Sequence, residues 1–223
     1  RDDVYGTDLA QAVEEAFVAR GGVVAPGIFY DPQHANFDNV VRELSRQVEE
    51  AIEAYGVEAV GIHLIAFNES AQIFHAAEKS PVLRSVRWFG SDGTARSPVI
   101  TRDPVAAQFA LDTRFTASAA SLDWDAVARI IYLADRYHAR FDDIPTAYAV
   151  AAYDALWVLL HTYLVTHDAQ DTEAFAYAFV RTAASYYGAG GWAGLNLAGD
   201  RLTGHFDFWT FMEGPGPDGL RRD

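Results

Sequence analysis

Catalysis would require one of a few side-chain arrangements, and each can be sought in the sequence directly. The GxSxG nucleophile elbow, the GxxxxGK[ST] phosphate loop and the HExxH zinc motif are missing, and the GxGxxG pattern is met only by Gly214 to Gly219, in the Gly/Pro-rich, loop-like tail rather than at a strand-to-helix turn. There is no cysteine, which excludes thiolate nucleophiles, disulfides and Cys-ligated zinc. The seven histidines stand at 34, 63, 75, 138, 161, 167 and 205, and the closest two, His161 and His167, are six residues apart rather than the four that pair ligands on one helix face. They are read as surface or satisfied core histidines. The acidic pairs Asp2-Asp3, Glu14-Glu15, Glu49-Glu50 and Asp142-Asp143 fall on helix faces or turns of a chain with a formal net charge of −14, and are read as solvated surface rather than as a glycosidase couple. No catalytic residue, metal or cofactor is expected.

What remains is a set of residues at the ends of strand-like segments. In open α/β sheets ligands bind beyond the carboxyl ends of the strands, where loops and helix N-termini converge. Phe67, Asn68, Glu69 and Asp92 fall at such ends, and Tyr5 opens the first helical pattern. Aromatic walls with one fixed carboxylate suit a ligand with an apolar body and a cationic amine, because a desolvated ammonium requires an anionic partner. The same residues also fit a plainer role, with Asn68 and Asp92 capping turns and Tyr5 and Phe67 packing.

The elements that must position them alternate in the first half of the chain between helical and strand periods, the mark of a largely parallel sheet. Thr7 to Arg20 carries Leu9, Val13, Ala16 and Phe17 at helical spacing and stops at Gly21-Gly22. Val23-Val24-Ala25 and Ile28-Phe29-Tyr30 read as a strand and its exit. Phe37 to Tyr55 is helical again, closed by Gly56, and Ala59 to Phe67 is an apolar run of strand length, as for a strand covered on both faces. Asn68 can cap a helix over Ser70 to Glu78, and Val86 to Phe89 forms the next strand, stopped by Gly90-Ser91-Asp92-Gly93. Strand-to-turn junctions therefore fall near Tyr30, Phe67 and Gly90. From about Pro104 come a short helix, a Ser/Ala/Thr-rich segment over Phe115 to Ser121, and three long helical patterns. These are Trp124 to Phe141, Pro145 to His167 with proline in the first turn, and Thr172 to Tyr187. A Gly-rich stretch, Gly188 to Gly199, precedes an alternating run over Phe206 to Phe211, and the tail Gly214 to Asp223 reads as loop.

With half of its 223 residues apolar, the chain can bury one sizeable core or two modest lobes. The richest apolar stretch, Ala149 to Leu164, is interrupted by Asp154 and His161 and is not read as a membrane span. Only Lys79 among the 17 basic residues is a lysine, and this acidic balance opposes nucleic acid and anionic membrane surfaces as partners. The sequence opens at Arg1-Asp2-Asp3, directly before a helical pattern and without an initiator Met or signal peptide, so the N-terminus reads as cut.

Several segments, in order and spacing, resemble the second lobe of type I periplasmic binding proteins, and more closely the branched-chain amino-acid-binding group that serves ABC transporters and is related to receptor ligand-binding domains. They are Asp3 to Ala10, Gly21-Gly22-Val23-Val24, Phe37 to Val41, Phe89-Gly90-Ser91-Asp92-Gly93, Pro145 to Ala149 with Ala152-Tyr153-Asp154-Ala155, and Gly199-Asp200-Arg201 with Phe206 to Trp209. The resemblance implies two α/β lobes that close on a ligand like a hinge. Residues 1–117 would be the second lobe without its first strand, 118–199 the returning helical part of the first lobe, and 200–223 the crossing back and tail. The missing N-terminal portion of the same protein becomes a partner of this segment. Tyr5 matches the aromatic that closes over the ligand, Ala66-Phe67 match the second-lobe aromatic position, and Asp92 matches the acid that takes the α-ammonium of an amino acid. Here the acid is Asp where the amino-acid binders carry Glu, and position 67 lacks a phenolic hydroxyl. Tyr153-Asp154 is read as a lock holding its helix to the lobe, and Trp157, Trp192 and Trp209 as packing.

The expected protein is therefore not an enzyme. It is a periplasmic or extracellular solute receptor, lipid-anchored or secreted behind a signal peptide, that captures an amino acid or similar small polar metabolite and delivers it to an ABC transporter permease. The alternative is a ligand-sensing domain of a receptor or regulator with the same fold.

Overall fold

The structure is a computed structural model and describes residues 1–33, 36–168, 170–196, 199–202, 204–214 and 220–222. His34, part of the Gly-rich stretch and most of the tail lie outside the described residues. The chain divides into two compact units, one of residues 1–119 with 207–223 and one of residues 120–206.

In the first unit the helices are α1 (Val4–Val18), α2 (Phe37–Tyr55), α3 (Ser70–Ala77), α4 (Pro81–Ser85), α5 (Pro98–Arg102) and α6 (Pro104–Asp112). Among them run β1 (Gly61–Leu64), β2 (Arg87–Gly90) and β3 (Thr116–Ser121), later joined by β6 (His205–Phe211) and β7 (Leu220–Arg222). The sheet order is β1-β2-β3-β6-β7. The first three strands are parallel, with Ile62 beside Trp88 and Phe89 beside Thr116, while β7 returns antiparallel to β6. This is the mixed α/β, parallel-dominated sheet with flanking helices expected of a type I periplasmic-binding-protein-like fold.

The helices begin where short polar side chains satisfy the first free N–H groups. Asp3 accepts from Gly6 N at the start of α1, Asn36 from Asp38 N at α2, and Asp103 from Val105 N and Ala106 N at α6. Helix α2 buries Val41 and Val48 at heptad spacing, with Val40, Leu44 and Ile52 packed alongside, and turns Glu43, Arg46 and Glu50 outward as ion pairs. The core is a ring cluster. Phe74 meets Trp88 edge-on at 5.7 Å and lies 4.9 Å from Phe109 and 5.1 Å from Phe115. All four side chains are fully buried, and the Trp88 indole N–H donates to Leu83 O at 2.8 Å.

Three expectations are corrected here. No strand forms over Val23 to Tyr30, although its residues favour one. A strand needs a ladder of backbone bonds to a neighbour, and this segment is tied to another part of the unit by Asp2 N donating to Tyr30 O at 2.8 Å. Nor is β1 covered on both faces, and β2 shares its pattern. Ile62, Leu64 and Trp88 are buried while His63, Arg87 and Phe89 on the opposite face are exposed, because the aromatic cluster packs against one side. The tail is not all loop, since Leu220–Arg222 forms a strand on β6.

The second unit holds α7 (Val127–Phe141), α8 (Ala147–Thr166), α9 (Thr172–Ser185) and a small antiparallel pair, β4 (Tyr187–Gly188) with β5 (Gly191–Trp192). Thr146 caps α8 by accepting from Ala149 N, so Pro145 stands before the cap rather than in the first turn. Helix α8 is long and apolar enough to cross a membrane by length and composition alone. Halfway along it the buried Asp154 accepts from Ala189 N at 2.8 Å and Gly190 N at 2.6 Å, fastening the helix to the turn between β4 and β5. Tyr153 beside it is half-buried, and Trp157 is 40% exposed rather than packed in a core.

Candidate ligand-binding site

The elements of the first unit bring the loops after β1 and β2 to the N-terminal turn of α1. At that junction Tyr5 and Phe67 stack, with ring centroids 4.8 Å apart and planes inclined by 22°. The Tyr5 hydroxyl lies 2.6 Å from Asp92 Oδ1 and 2.9 Å from Ser91 Oγ. Three residues separated by up to 87 positions in sequence thus converge, the arrangement on which the sequence reading of a binding site depends. Burial together with the neighbouring Asp92 carboxylate pushes the Tyr5 phenol up to about 12, with the Ser91 hydroxyl acting the other way. The phenol is therefore a proton donor throughout the neutral range.

The loop after β2 is held from within. Ser91 is buried, its N–H donates to Leu64 O at 3.3 Å, and its carbonyl accepts from Thr94 N at 3.0 Å and from Thr94 Oγ1 at 2.8 Å. Gly93 allows this loop to touch its neighbour, since a Cβ there would stand 2.5 Å from both Ala66 O and the Phe67 ring. The neighbouring loop is fixed in turn by Tyr30, whose hydroxyl lies 3.1 Å from both Ile65 O and Glu69 Oε1, two acceptors for its one proton. Burial first, and the Glu69 charge second, push the Tyr30 phenol well above its ordinary range.

Beside the stack, the Arg1 guanidinium lies 4.5 Å from the centre of the Phe67 ring and bonds Glu69 at 2.6 Å and Asp3 at 2.8 Å. Glu69 is buried within this network, so it serves the scaffold and not an open cleft. Ala66 is fully enclosed in the core. Asn68 is exposed and does not cap α3, whose cap position falls on Glu69 without a side-chain bond. Of the six residues marked in the sequence, Tyr5, Phe67 and Asp92 form one half-buried surface, while Ala66 and Glu69 lie behind it and Asn68 beside it. Sequence reasoning missed Ser91 and Tyr30. Ser91 sat inside the Gly90 to Gly93 stop, and its place directly after the last residue of β2 was the available signal. Among the described residues no group of His, Asp and Glu is placed to hold a metal ion.

A parallel sheet whose strand ends bring an aromatic pair and an acid together is an arrangement able to hold a small ligand. The family comparison agrees: a model described as the receptor family ligand binding region matches residues 1–212, and the chain belongs to that family. Among solved structures, the chain is similar to an ABC transporter substrate-binding protein from Desulfitobacterium hafniense, with TM-score 0.67 and 17% identity, covering 99% of this chain and 57% of that one. A structure of that organism's ABC transporter substrate-binding protein in complex with Leu gives TM-score 0.65 and 17% identity, with the same coverage. A leucine binding protein from Thermotoga maritima gives TM-score 0.63 at 16% identity, covering 100% of this chain and 57% of that one. An uncharacterized protein of Methanocaldococcus jannaschii is 26% identical over 159 residues, 71% of this chain and 36% of that protein. The chain thus spans little more than half the length of the solved structures it matches, and about a third of the curated relative. The structural likenesses, all at low identity, establish the fold, and the family and neighbours are binding proteins rather than enzymes.

Proposed function

We propose that this chain is part of an extracytoplasmic solute-binding protein that captures an amino acid or similar small polar metabolite between hinged lobes and delivers it to an ABC transporter permease. The observation that carries the reading is the convergence of Tyr5, Phe67 and Asp92 on one surface of the first unit. Asp92 takes the ligand's ammonium and the stacked rings take its apolar body. Ligand contacts made with both lobes only on closure stabilise the closed form by differential affinity, and the permease reads that form. The solved neighbours named for leucine binding and for ABC transport support the ligand class. Placement in the periplasm or on the outer face of the cell, secreted or lipid-anchored, follows from that role.

The test is a thermal-shift screen of amino acids and small carboxylates against the full-length protein, since a ligand of the native state raises its melting temperature. A hit should weaken on Asp92→Ala by about 2 kcal/mol or more, the usual consequence of leaving an ammonium without its buried counter-charge. An Asp92→Ala variant with unaltered affinity in calorimetry removes Asp92 from the site. The family's description as a receptor ligand-binding region favours one alternative, a sensory domain that reports the same ligand. Ligand-dependent uptake through a co-expressed permease separates transport from sensing.

A further inference from the structure

The 31 acidic residues of the chain outnumber the 17 basic ones, and in the first unit Arg1, Arg46 and Arg84 each hold two carboxylates. Helix α7 of the second unit is different. Arg129, Arg136 and Arg140 are exposed, and among the described residues none of the three has a carboxylate within ion-pair distance; Asp142, just past the helix, lies 4.0 Å from His138 instead. At about 100° and 1.5 Å per residue, the three positions fall within about 20° of Arg129 and form a straight row about 16 Å long. Asp135, the acid within α7, stands about 120° round the helix from Arg129.

Each guanidinium of the row lies over an aromatic ring. Arg129 is 5.6 Å from the centre of Tyr187, Arg136 5.4 Å from Tyr132 and Arg140 5.6 Å from Phe141. Arg129 donates to Tyr187 O at 2.5 Å and Arg136 to the Tyr132 hydroxyl at 2.6 Å, contacts that engage one N–H of the five on each group. A guanidinium held against a ring in this way offers its remaining N–H groups to a two-oxygen acceptor with less left to order on binding. Helix stability does not account for the row. Arg140 in the last turn suits the negative end of the helix, but Arg129 is the third residue of α7, where the positive end disfavours a cation.

The partner's chemistry follows from charge and reach. An extended polyanion, such as an anionic bilayer or a nucleic acid, meets the whole molecule and its net charge of −14. Ionic interactions fade over about 8 Å at physiological salt, so the row acts on a partner that fits along it. A short segment with carboxylates on one face fits, each taken by an arginine fork. Tyr132, 59% exposed beside the row, supplies the aromatic surface that protein interfaces favour together with arginine.

We infer that the Arg129–Arg136–Arg140 row of α7 is a docking surface for an acidic helical segment of a partner protein. It draws on none of the residues of the small-ligand surface and does not depend on that ligand's identity.

The test measures fluorescence anisotropy of two labelled synthetic helical peptides with the full-length protein. One carries four glutamates along a single face at the spacing of the arginines, and its isomer carries the same four spread round the helix. The one-faced peptide should bind more tightly by about fivefold or more, the scale of two or three exposed ion pairs, and the preference should shrink as salt is raised. Arg136→Ala should remove most of the preference, and Arg136→Lys, which keeps the charge and gives up the planar fork, should restore only part of it. Arg181→Ala, which removes the arginine over Tyr177 on α9, should bind as wild type does. Should Arg136→Ala lower the thermal midpoint, Arg140→Ala, whose guanidinium rests only on the adjacent Phe141 ring, decides in its place. Equal binding of the two peptides, binding of neither, or a preference that survives the α7 substitutions overturns the inference. Arginine-dependent binding to phosphatidylserine vesicles with no preference between the peptides also overturns it, in favour of a membrane surface.

Discussion

Replacing Gly93 with alanine adds one methyl group between the two loops that form the site. Built on the existing backbone, that carbon stands 2.5 Å from Ala66 O and 2.5 Å from the Phe67 ring, at least about 0.5 Å inside the 3.0 Å that real Cβ contacts essentially never cross. Phe67 could rotate away, but only by leaving its stack on Tyr5. The carbonyl has less freedom, because Ala66 is fully enclosed and the two loops are pinned by Ser91 N to Leu64 O. The loops must therefore part, carrying Phe67 and Asp92 with them. Overpacking of this kind costs about 1–3 kcal/mol, or roughly 2–12 °C of melting temperature for a chain of this size. Gly56→Ala is the control. Gly56 ends α2 with a φ of 83° and has open space around its absent Cβ, so alanine there is strained in its backbone but touches nothing. Both variants should melt earlier than wild type in a thermal scan. In calorimetry with whichever amino acid binds, only Gly93→Ala should also lose affinity, by about tenfold or more if Phe67 and Asp92 separate by even a fraction of an ångström. Equal affinities in the two variants would refute the claim that the Gly93 approach sets the site.

Two further outcomes follow from the second unit and from the phenols. Asp154→Ala strips acceptors from Ala189 N and Gly190 N in a buried setting, and should cost about 3 kcal/mol or more in urea unfolding, with Asp154→Asn, which keeps one acceptor oxygen, losing less; a loss within about 0.5 kcal/mol of zero, the scale of a surface substitution, would mean the turn is held by something else. The Tyr5 phenol, raised to about 12 by burial and by Asp92, binds its proton more tightly folded than unfolded, so its share of stability is complete below about pH 10 and is lost as pH rises through about 12. Thermal midpoints should fall across that interval in wild type and fall less in Tyr5→Phe, and superimposable curves would count against the coupling.

How far the sequence reaches can be judged from individual residues. Periodicity and helix punctuation place α2, α6, α8 and α9 within a few positions, because those signals are local: Val41 and Val48 on one face of α2 with Gly56 at its end, Pro104 where α6 opens, and Pro145 just before α8. Strands depend on neighbours instead. Val23 to Ala25 has the composition of a strand and forms none, whereas the Ala/Ser/Thr segment at Thr116–Ser121, with no alternation to mark it, becomes β3 because β2 and β6 lie on either side to pair with it. The site divides along the same line. Strand-end logic and the family resemblance marked Tyr5, Phe67 and Asp92, since their residue types carry the chemistry. Tyr30 was not marked as part of the site, because its hydroxyl acts 35 and 39 residues away, on Ile65 and Glu69, a distance no local pattern spans.

The acid at position 92 joins these threads. In the sequence, aspartate is a departure from the glutamate of the amino-acid binders, one methylene short. In the structure its carboxylate meets the Tyr5 hydroxyl at 2.6 Å while the ring above stays stacked on Phe67. A glutamate in the same rotamer would carry its oxygens about one C–C bond further along and past that contact. It would also add a rotatable bond to be ordered on binding. The shorter acid thus fits the span to the phenol, whose hydroxyl also lies 2.9 Å from the buried Ser91.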